Sequence, residues 1–168
     1  MSNMEKRCLL DSWKELCCIF DRNPGLTDKN DILFFDIHEY KAPDSLKLIP
    51  KTIRLRIEID TNNMSFGIYY GIYFTLPKSD KMEAAAVNVY WKDIRYHIDN
   101  YRKNRCFKSH ACSNERDVDL ENASRYVYWP YWVKACERDV YLIKEDVELI
   151  HKALINYGFE VVTKKISV

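Results

Sequence analysis

The nine residues 52–60 read Thr-Ile-Arg-Leu-Arg-Ile-Glu-Ile-Asp, and they decide the fold class. Apolar residues alternate strictly with charged ones, which is typical of a β-strand with one buried face and one solvated face. Residues 66–76 repeat this alternation after a short polar linker, so the two runs predict an antiparallel hairpin over about 52–76. Gly71 falls on the outer side of the second run, where a missing side chain permits close approach of another group.

Helical periodicity occurs on both sides of this hairpin. A capping box at Ser2 and Glu5 precedes an apolar repeat that predicts an N-terminal helix over about 4–21. A second repeat, with spacings of three and four residues, predicts a long middle helix over about 80–102. A third apolar stripe predicts a C-terminal helix that starts near Ile143.

Two further runs, 32–40 and 126–131, are rich in β-branched and aromatic residues and predict strands. The chain then has three strands between its first two helices and one strand before the last helix. Such an order predicts an α+β fold, in which a mostly antiparallel sheet is packed by the N-terminal, middle and C-terminal helices. A length of 168 residues suits a single domain over 1–168.

Composition excludes several classes of protein. Lys and Arg total 26 and Asp and Glu total 25, so the net charge of +1 argues against a general polyanion binder and against an acidic mimic of nucleic acid. No apolar run reaches the roughly 18–20 residues that a bilayer span needs, and no membrane partner is expected. The first residues do not resemble a secretion signal, so we expect a cytoplasmic protein whose six cysteines are thiols.

Aromatic side chains suggest a surface for another protein. The chain has 12 Tyr, and Tyr and Trp are enriched where an apolar surface also needs a polar group. Strand alternation predicts that some of these rings share the solvent side of the hairpin with two arginines. The candidate partner-binding residues are Tyr69, Tyr73, Arg54, Arg56, Trp129, Tyr131 and Trp132.

A nucleic-acid-binding accessory protein is the first alternative. Cations and rings alternate between residues 92 and 108, a pattern typical of contact with nucleic acid. Asp93 and Asp99 interrupt the run, and a solvated helix face explains it equally well. The candidate residues for this function are Lys92, Arg95, Arg102, Lys103, Arg105 and Lys108.

A zinc site is a further hypothesis. Cys106, His110 and Cys112 place two thiols and an imidazole within seven residues, which are ligand types that Zn²⁺ prefers. His97 or Cys136 could supply a fourth ligand. The second closely spaced pair of ligands that structural zinc sites usually have is missing, so a polar loop with incidental Cys and His is the competing interpretation, and no cofactor is expected.

A metal-dependent nuclease is the second alternative. Asp36-x-x-Glu39-x-Lys41 at the end of the first strand has the residue types with which nucleases bind a divalent cation and position a lysine. Successive side chains in a strand point to opposite faces, so the odd separation between Asp36 and Glu39 predicts that they lie on opposite sides of the sheet.

A family resemblance covers residues 53–168. It depends on Leu-Arg-Ile-Glu-Ile at 55–59, Tyr-Gly-Ile-Tyr at 70–73, and Tyr-Trp-Pro-Tyr-Trp at 128–132 before the helical repeat of 147–157. The region resembles the C-terminal, non-catalytic part of bacterial PD-(D/E)xK nuclease-family proteins. The resemblance implies a recognition or accessory module without cleavage activity, and it carries over no functional residue.

Together these observations predict a non-catalytic protein-binding or regulatory module. No nucleophile motif and no phosphate-binding loop occurs in the sequence. Inhibitors and immunity-type proteins, which act by binding another protein, are the classes that such a domain suits. That comparison is an analogy, because a fold does not determine a function.

Overall fold

The structure, a computed structural model, describes residues 1–26, 31–45, 52–64, 67–75, 93–102, 126–133 and 140–162. Residues 93–102 are helical and are called α2. The other elements are α1 (Asn3–Phe20), β1 (Gly25–Leu26), β2 (Ile32–Lys41), β3 (Thr52–Asp60), β4 (Ile68–Thr75), β5 (Tyr126–Val133), α3 (Val140–Tyr157) and β6 (Glu160–Val161).

A mostly antiparallel sheet forms the centre of the fold. Five strands follow the order β1-β2-β3-β4-β5, and β6 pairs with β2. The hairpin predicted over 52–76 is confirmed, since β3 and β4 pair antiparallel from Arg54 opposite Tyr73 to Ile59 opposite Ile68. Helices accompany the sheet, so the predicted α+β class is confirmed as well.

One face of the sheet is covered by the helices. The four apolar residues of β3 are completely buried, as their alternation predicts. They belong to one cluster with apolar residues of α1, α2 and α3, which include Trp13, Ile98 and Ile150. Trp13 packs on Phe35 of β2 with ring centroids 5.3 Å apart. Within the described ranges, no helix combines the length and apolar character that a membrane span requires.

Helix ends agree with the sequence signals. The side chain of Ser2 accepts from the amide of Glu5, and the Glu5 carboxylate accepts from the amide of Ser2, so the capping box is confirmed. α3 begins at Val140, a few residues before the predicted start, and is followed by Gly158 in a positive-φ conformation that favours glycine. The predicted helical segment before residue 93 lies outside the described residues.

A buried ion pair joins α2, α3 and β4. Asp146 is 2% exposed. Its carboxylate accepts two hydrogen bonds from Arg102, at 2.6 Å and 2.5 Å, and a third from the hydroxyl of Tyr70 at 2.5 Å. A bidentate guanidinium–carboxylate pair is strong and directional, so this contact fixes how the two helices sit on the sheet.

We expect Asp146→Ala to lower the free energy of unfolding by about 3–5 kcal/mol, because it removes the buried carboxylate to which both Arg102 and Tyr70 donate. Urea denaturation measures the change. Glu148→Ala on the exposed side of α3, where the ion pair with Lys144 is long at 3.9 Å, should cost less than about 1 kcal/mol. An Asp146→Ala variant as stable as Glu148→Ala would contradict this account.

Candidate functional site on the outer face of the sheet

The face of the sheet opposite the core, called the outer face, has three cross-strand rows of residues, most of which are charged or aromatic. Each row runs from β2 through β3 and β4 to β5 and is defined by the strand register. The first row is Phe34, Glu58, Tyr69 and Trp132; the second is Asp36, Arg56, Gly71 and Pro130; the third is Glu39, Arg54, Tyr73 and Tyr128.

Arg56 lies at the centre of the outer face and is only 5% exposed. Its guanidinium carbon is 4.0 Å from the ring centroid of Phe34 and 3.7 Å from that of Tyr73. The Nε atom donates to Asp36 Oδ1 at 2.8 Å. Desolvated cation–π contacts contribute about 2 kcal/mol each. The prediction that Arg56 is solvent-exposed is therefore wrong, because two rings and a carboxylate enclose it.

A β-bulge brings the acids of β2 onto the outer face. Asp36 pairs with Arg56 and His38 pairs with Leu55, so Ile37 is an extra residue in the strand. This insertion shifts the alternation by one, and Glu39 then pairs with Arg54 on the same face as Asp36. The prediction that Asp36 and Glu39 point to opposite faces is wrong for this reason.

Arg22, just beyond the end of α1, supports the bulge. Its guanidinium donates to the carbonyl oxygen of Asp36 at 3.3 Å and to that of Ile37 at 3.1 Å. It also donates to the carbonyl of Phe20 at 3.0 Å. Arg22 thus donates to backbone carbonyls at the β-bulge, where the regular pairing between strands is interrupted. In this way the end of α1 helps to position the acids of the outer face.

Arg54 is the accessible cation of the third row. Its side chain is 45% exposed and lies 3.9 Å from Asp36 and 3.8 Å from Glu39. Ion pairs of this length on a surface contribute little to stability, so Arg54 can exchange them for contacts with a ligand. Tyr69 and Tyr73, which are partly buried, share the face with Arg54 as predicted.

Glu58 stands in the first row beside Arg56. It is partly buried, and burial raises its pKa to about 7 from the usual value of 4.5. Arg56 opposes this rise, while the carboxylates of Asp36, Asp60 and Asp31 add to it. Sequence reasoning missed Glu58, although its place in the alternation of β3 puts it on the same face as the two arginines.

The three candidate residues of β5 occupy different register positions. Trp132 is opposite Tyr69 and belongs to the first row. Trp129 and Tyr131 are opposite Ile72 and Tyr70, whose side chains are buried in the core. Backbone alternation therefore separates Trp129 and Tyr131 from Trp132.

The basic segment is only partly described. Arg102 is 12% exposed in its side chain and donates to Asp146, so it belongs to the interior ion pair and not to a cationic surface. Arg95 lies 3.7 Å from Asp99 on the same helix. The other candidates for nucleic-acid binding, Lys92, Lys103, Arg105 and Lys108, lie outside the described residues.

The predicted metal ligands are not brought together in the described part of the chain. Cys106, His110 and Cys112 lie outside it. Asp36 and Glu39 share a face, but each is an ion-pair partner of Arg54. Among the described residues, no group of three His, Cys, Asp or Glu side chains could hold a metal ion.

A histidine pair lies on the other side of β2, against α3. The rings of His38 and His151 have centroids 4.8 Å apart, and the hydroxyl of Tyr40 is 2.8 Å from Nδ1 of His151. Burial lowers the pKa of both imidazoles, and the charge of His151 also lowers the pKa of His38. Arg22 lowers the pKa of His38 further.

We expect the histidine pair to destabilise the fold in acid. The lowered pKa values mean that the unfolded chain binds protons first, so the free energy of unfolding falls as the pH drops below about 6.5. His38→Gln should reduce this loss between pH 7 and 5 in urea denaturation, and it leaves the contact between Tyr40 and His151 in place. An unchanged pH slope in His38→Gln would contradict the assignment.

Glu58 should have the opposite effect. Its pKa is raised, so the folded chain retains a proton that the unfolded chain loses, and the free energy of unfolding falls as pH rises from 4.5 to about 7. Glu58→Gln should remove this slope and stabilise the fold above pH 7 by about 1–3 kcal/mol. Glu39→Gln on the same face is the matched control and should keep the slope. A Glu58→Gln variant less stable than the wild type at pH 8 would contradict this.

Comparison with known proteins does not indicate a function for this chain. No protein-family model, no curated protein and no solved structure matches this chain. The resemblance of residues 53–168 to the non-catalytic region of bacterial PD-(D/E)xK nuclease-family proteins therefore stays a prediction.

Proposed function

We propose that this chain is a non-catalytic protein-binding module whose binding surface is the outer face of the sheet. A regulatory role, as an inhibitor or an immunity-type protein acting on another protein, is the form of this function that we favour. This chain would then inhibit its partner by covering part of the partner's surface. The partner would contact the exposed Arg54 and the rings of Tyr69 and Tyr73.

The observation that carries the proposal is the fixed position of Arg56 between Phe34 and Tyr73. Tyr, Trp and Arg in well-packed surroundings are the residues that most often dominate the energy of protein interfaces. Because the rings and Asp36 already order Arg56, little side-chain entropy remains to be lost around it when a partner binds. Arg54 next to it supplies an exposed charge.

Charge on the outer face supports a protein partner over nucleic acid. The rows contain acids as well as arginines, and Asp36, Glu39 and Glu58 would repel a phosphate backbone. Protein surfaces, which carry both signs of charge, suit such a mixed face. The interior position of Arg102 also weakens the alternative of a basic helix that binds nucleic acid.

A direct test captures partners from the native host, or from its natural target cell, with the wild-type chain and with Arg54→Glu. Arg7→Glu makes the same substitution on an exposed turn of α1 and is the matched control. We expect one stoichiometric protein that survives nuclease and moderate salt, is lost by at least tenfold with Arg54→Glu, and is kept with Arg7→Glu.

Two results would contradict the proposal. Recovery that disappears with nuclease, or that falls steeply with salt, would indicate nucleic-acid binding, because counterion release gives a steep salt dependence. A protein captured equally by the wild type and Arg54→Glu would place the binding surface elsewhere. The affinity of the purified pair is then measured by titration, for the wild type and for the Tyr69→Ala and Tyr73→Ala double variant. Weaker binding of the double variant would keep the partner on the outer face, whereas unchanged affinity would place the binding surface elsewhere.

A further inference from the structure

A buried hydroxyl joins β2 to α3. Tyr40 is completely buried, and its hydroxyl oxygen lies 2.8 Å from Nδ1 of His151. Among the described residues, His151 is the one hydrogen-bond partner of this hydroxyl. A buried O–H group needs an acceptor for its proton. The arrangement that satisfies the hydroxyl is therefore a neutral His151 in which Nδ1 accepts from Tyr40 and Nε2 carries the hydrogen.

A proton on Nδ1 would break this arrangement. The imidazolium form of His151 carries a hydrogen on both nitrogens, so it cannot accept from Tyr40. The buried hydroxyl would then lose the acceptor for its proton, which is unfavourable in the interior. The ring centroid of His38 is 4.8 Å from that of His151, and a charge on His151 opposes protonation of His38. The contact between β2 and α3 therefore favours two neutral imidazoles.

The charges that face the histidine pair mostly oppose its protonation. Burial is the largest cause that disfavours a charge on either imidazole. Arg22, just beyond the end of α1, adds to this effect on His38. On α3, Lys152 opposes a positive charge on His151, whereas Glu148 favours one. The side chain of Glu148 is 55% exposed, so solvent and salt screen its charge.

The described strands beside the histidine pair place apolar residues on its side of the sheet. The residues of β3 opposite this part of β2, Ile53 and Leu55, are completely buried. Glu160 of β6 is opposite Lys41, one position beyond Tyr40. Alternation puts both of these charged residues on the other side of the sheet, where they are exposed.

β6 is held by the same part of β2. It pairs with β2 at two register positions, and the amide of Val162 donates to the carbonyl of Glu39 at 2.8 Å. β2 and β3, in contrast, pair at nine register positions. Short elements with few backbone hydrogen bonds open at low free energy. β6 is also the strand next to Tyr40, so its separation would admit water to a hydroxyl that has lost His151.

We propose that His38, His151 and Tyr40 form a proton-sensitive latch that closes β6 onto β2. Proton uptake by the two imidazoles opens the latch and releases β6, while β2, β3 and β4 stay paired. This opening is local and precedes loss of the whole fold. Each imidazole that is neutral in the closed form makes opening about tenfold more favourable for each pH unit below about 6.5. The latch goes beyond the proposed function and is tested without a partner.

Hydrogen exchange of the Val162 amide in the full chain measures the opening. After correction for the intrinsic exchange rate, the protection of this amide should fall by at least about tenfold between about pH 7.5 and about pH 5.5. Amides of β3 should stay at least about tenfold better protected than Val162 at both pH values, because the opening is local. No fall at Val162, or equal protection of Val162 and β3 at the lower pH, would overturn the inference.

The imidazole nitrogens of the wild type give a second test, which needs no variant. In a long-range ¹H–¹⁵N spectrum at about pH 7.5, His151 should show a hydrogen on Nε2 and none on Nδ1. A hydrogen on Nδ1 of His151 at this pH would overturn the inference, because Tyr40 could then not donate to it.

Matched substitutions make the result specific to the histidine pair. In His151→Gln the amide oxygen can still accept from Tyr40 but binds no proton, so the fall in Val162 protection should shrink by at least about threefold. His38→Gln should shrink it similarly. His97→Gln makes the same change on α2, outside the pair, and should keep the fall within about twofold of the wild type. An undiminished fall in either pair variant, or its loss in His97→Gln, would overturn the inference.

Discussion

The two chemically different faces of β3 are the constraint on which the rest of the structure depends. Its residues Ile53, Leu55, Ile57 and Ile59 are completely buried and position the helices. The intervening residues face the other way, and β2 and β4 complete a charged and aromatic surface around them. Because side chains alternate with a period of two, a shift of one residue in the register would exchange the two faces.

Arg56 connects the stability of the sheet to its surface chemistry. A buried guanidinium needs partners, and it obtains them from Asp36 and from the rings of Phe34 and Tyr73. These partners come from the strands on either side of β3, so the arginine links three strands on the face opposite the one that the described helices cover. The ordering that stabilises the sheet also presents Arg54 in a defined place.

Local patterns predicted the elements, while contacts across the sheet determined the site. The alternation of 52–60 and the capping box at Ser2 were sufficient for the hairpin and for α1. The residues around Ile37 give no local signal for the bulge. The bulge is supported from outside the strand, because Arg22 donates to the carbonyl oxygens of Asp36 and Ile37. The pairing of Glu39 with Arg54 depends on this bulge, and the enclosure of Arg56 by Phe34 depends on the register between β2 and β3, which local patterns do not give.

Position in the fold also separates cations that look alike in the sequence. Arg54, Arg56 and Arg102 are equivalent in composition, yet one is exposed, one is enclosed by rings and one is paired with a buried aspartate. Desolvation explains the difference, because a buried charge persists only with a partner of opposite sign or an equivalent set of contacts. Counting charges along 92–108 could not distinguish the structural Arg102 from a cation available to nucleic acid.

The central claim is that the outer face contacts another protein, and site-specific photo-crosslinking tests it most directly. Benzoylphenylalanine at Thr52, an exposed position next to Arg54 on that face, leaves the candidate residues unchanged. The same group at Lys14, on the exposed side of α1, is the control. In native cells we expect one discrete protein adduct from position 52 and none from position 14. An adduct from position 14 alone, or crosslinks from position 52 to nucleic acid alone, would contradict the account.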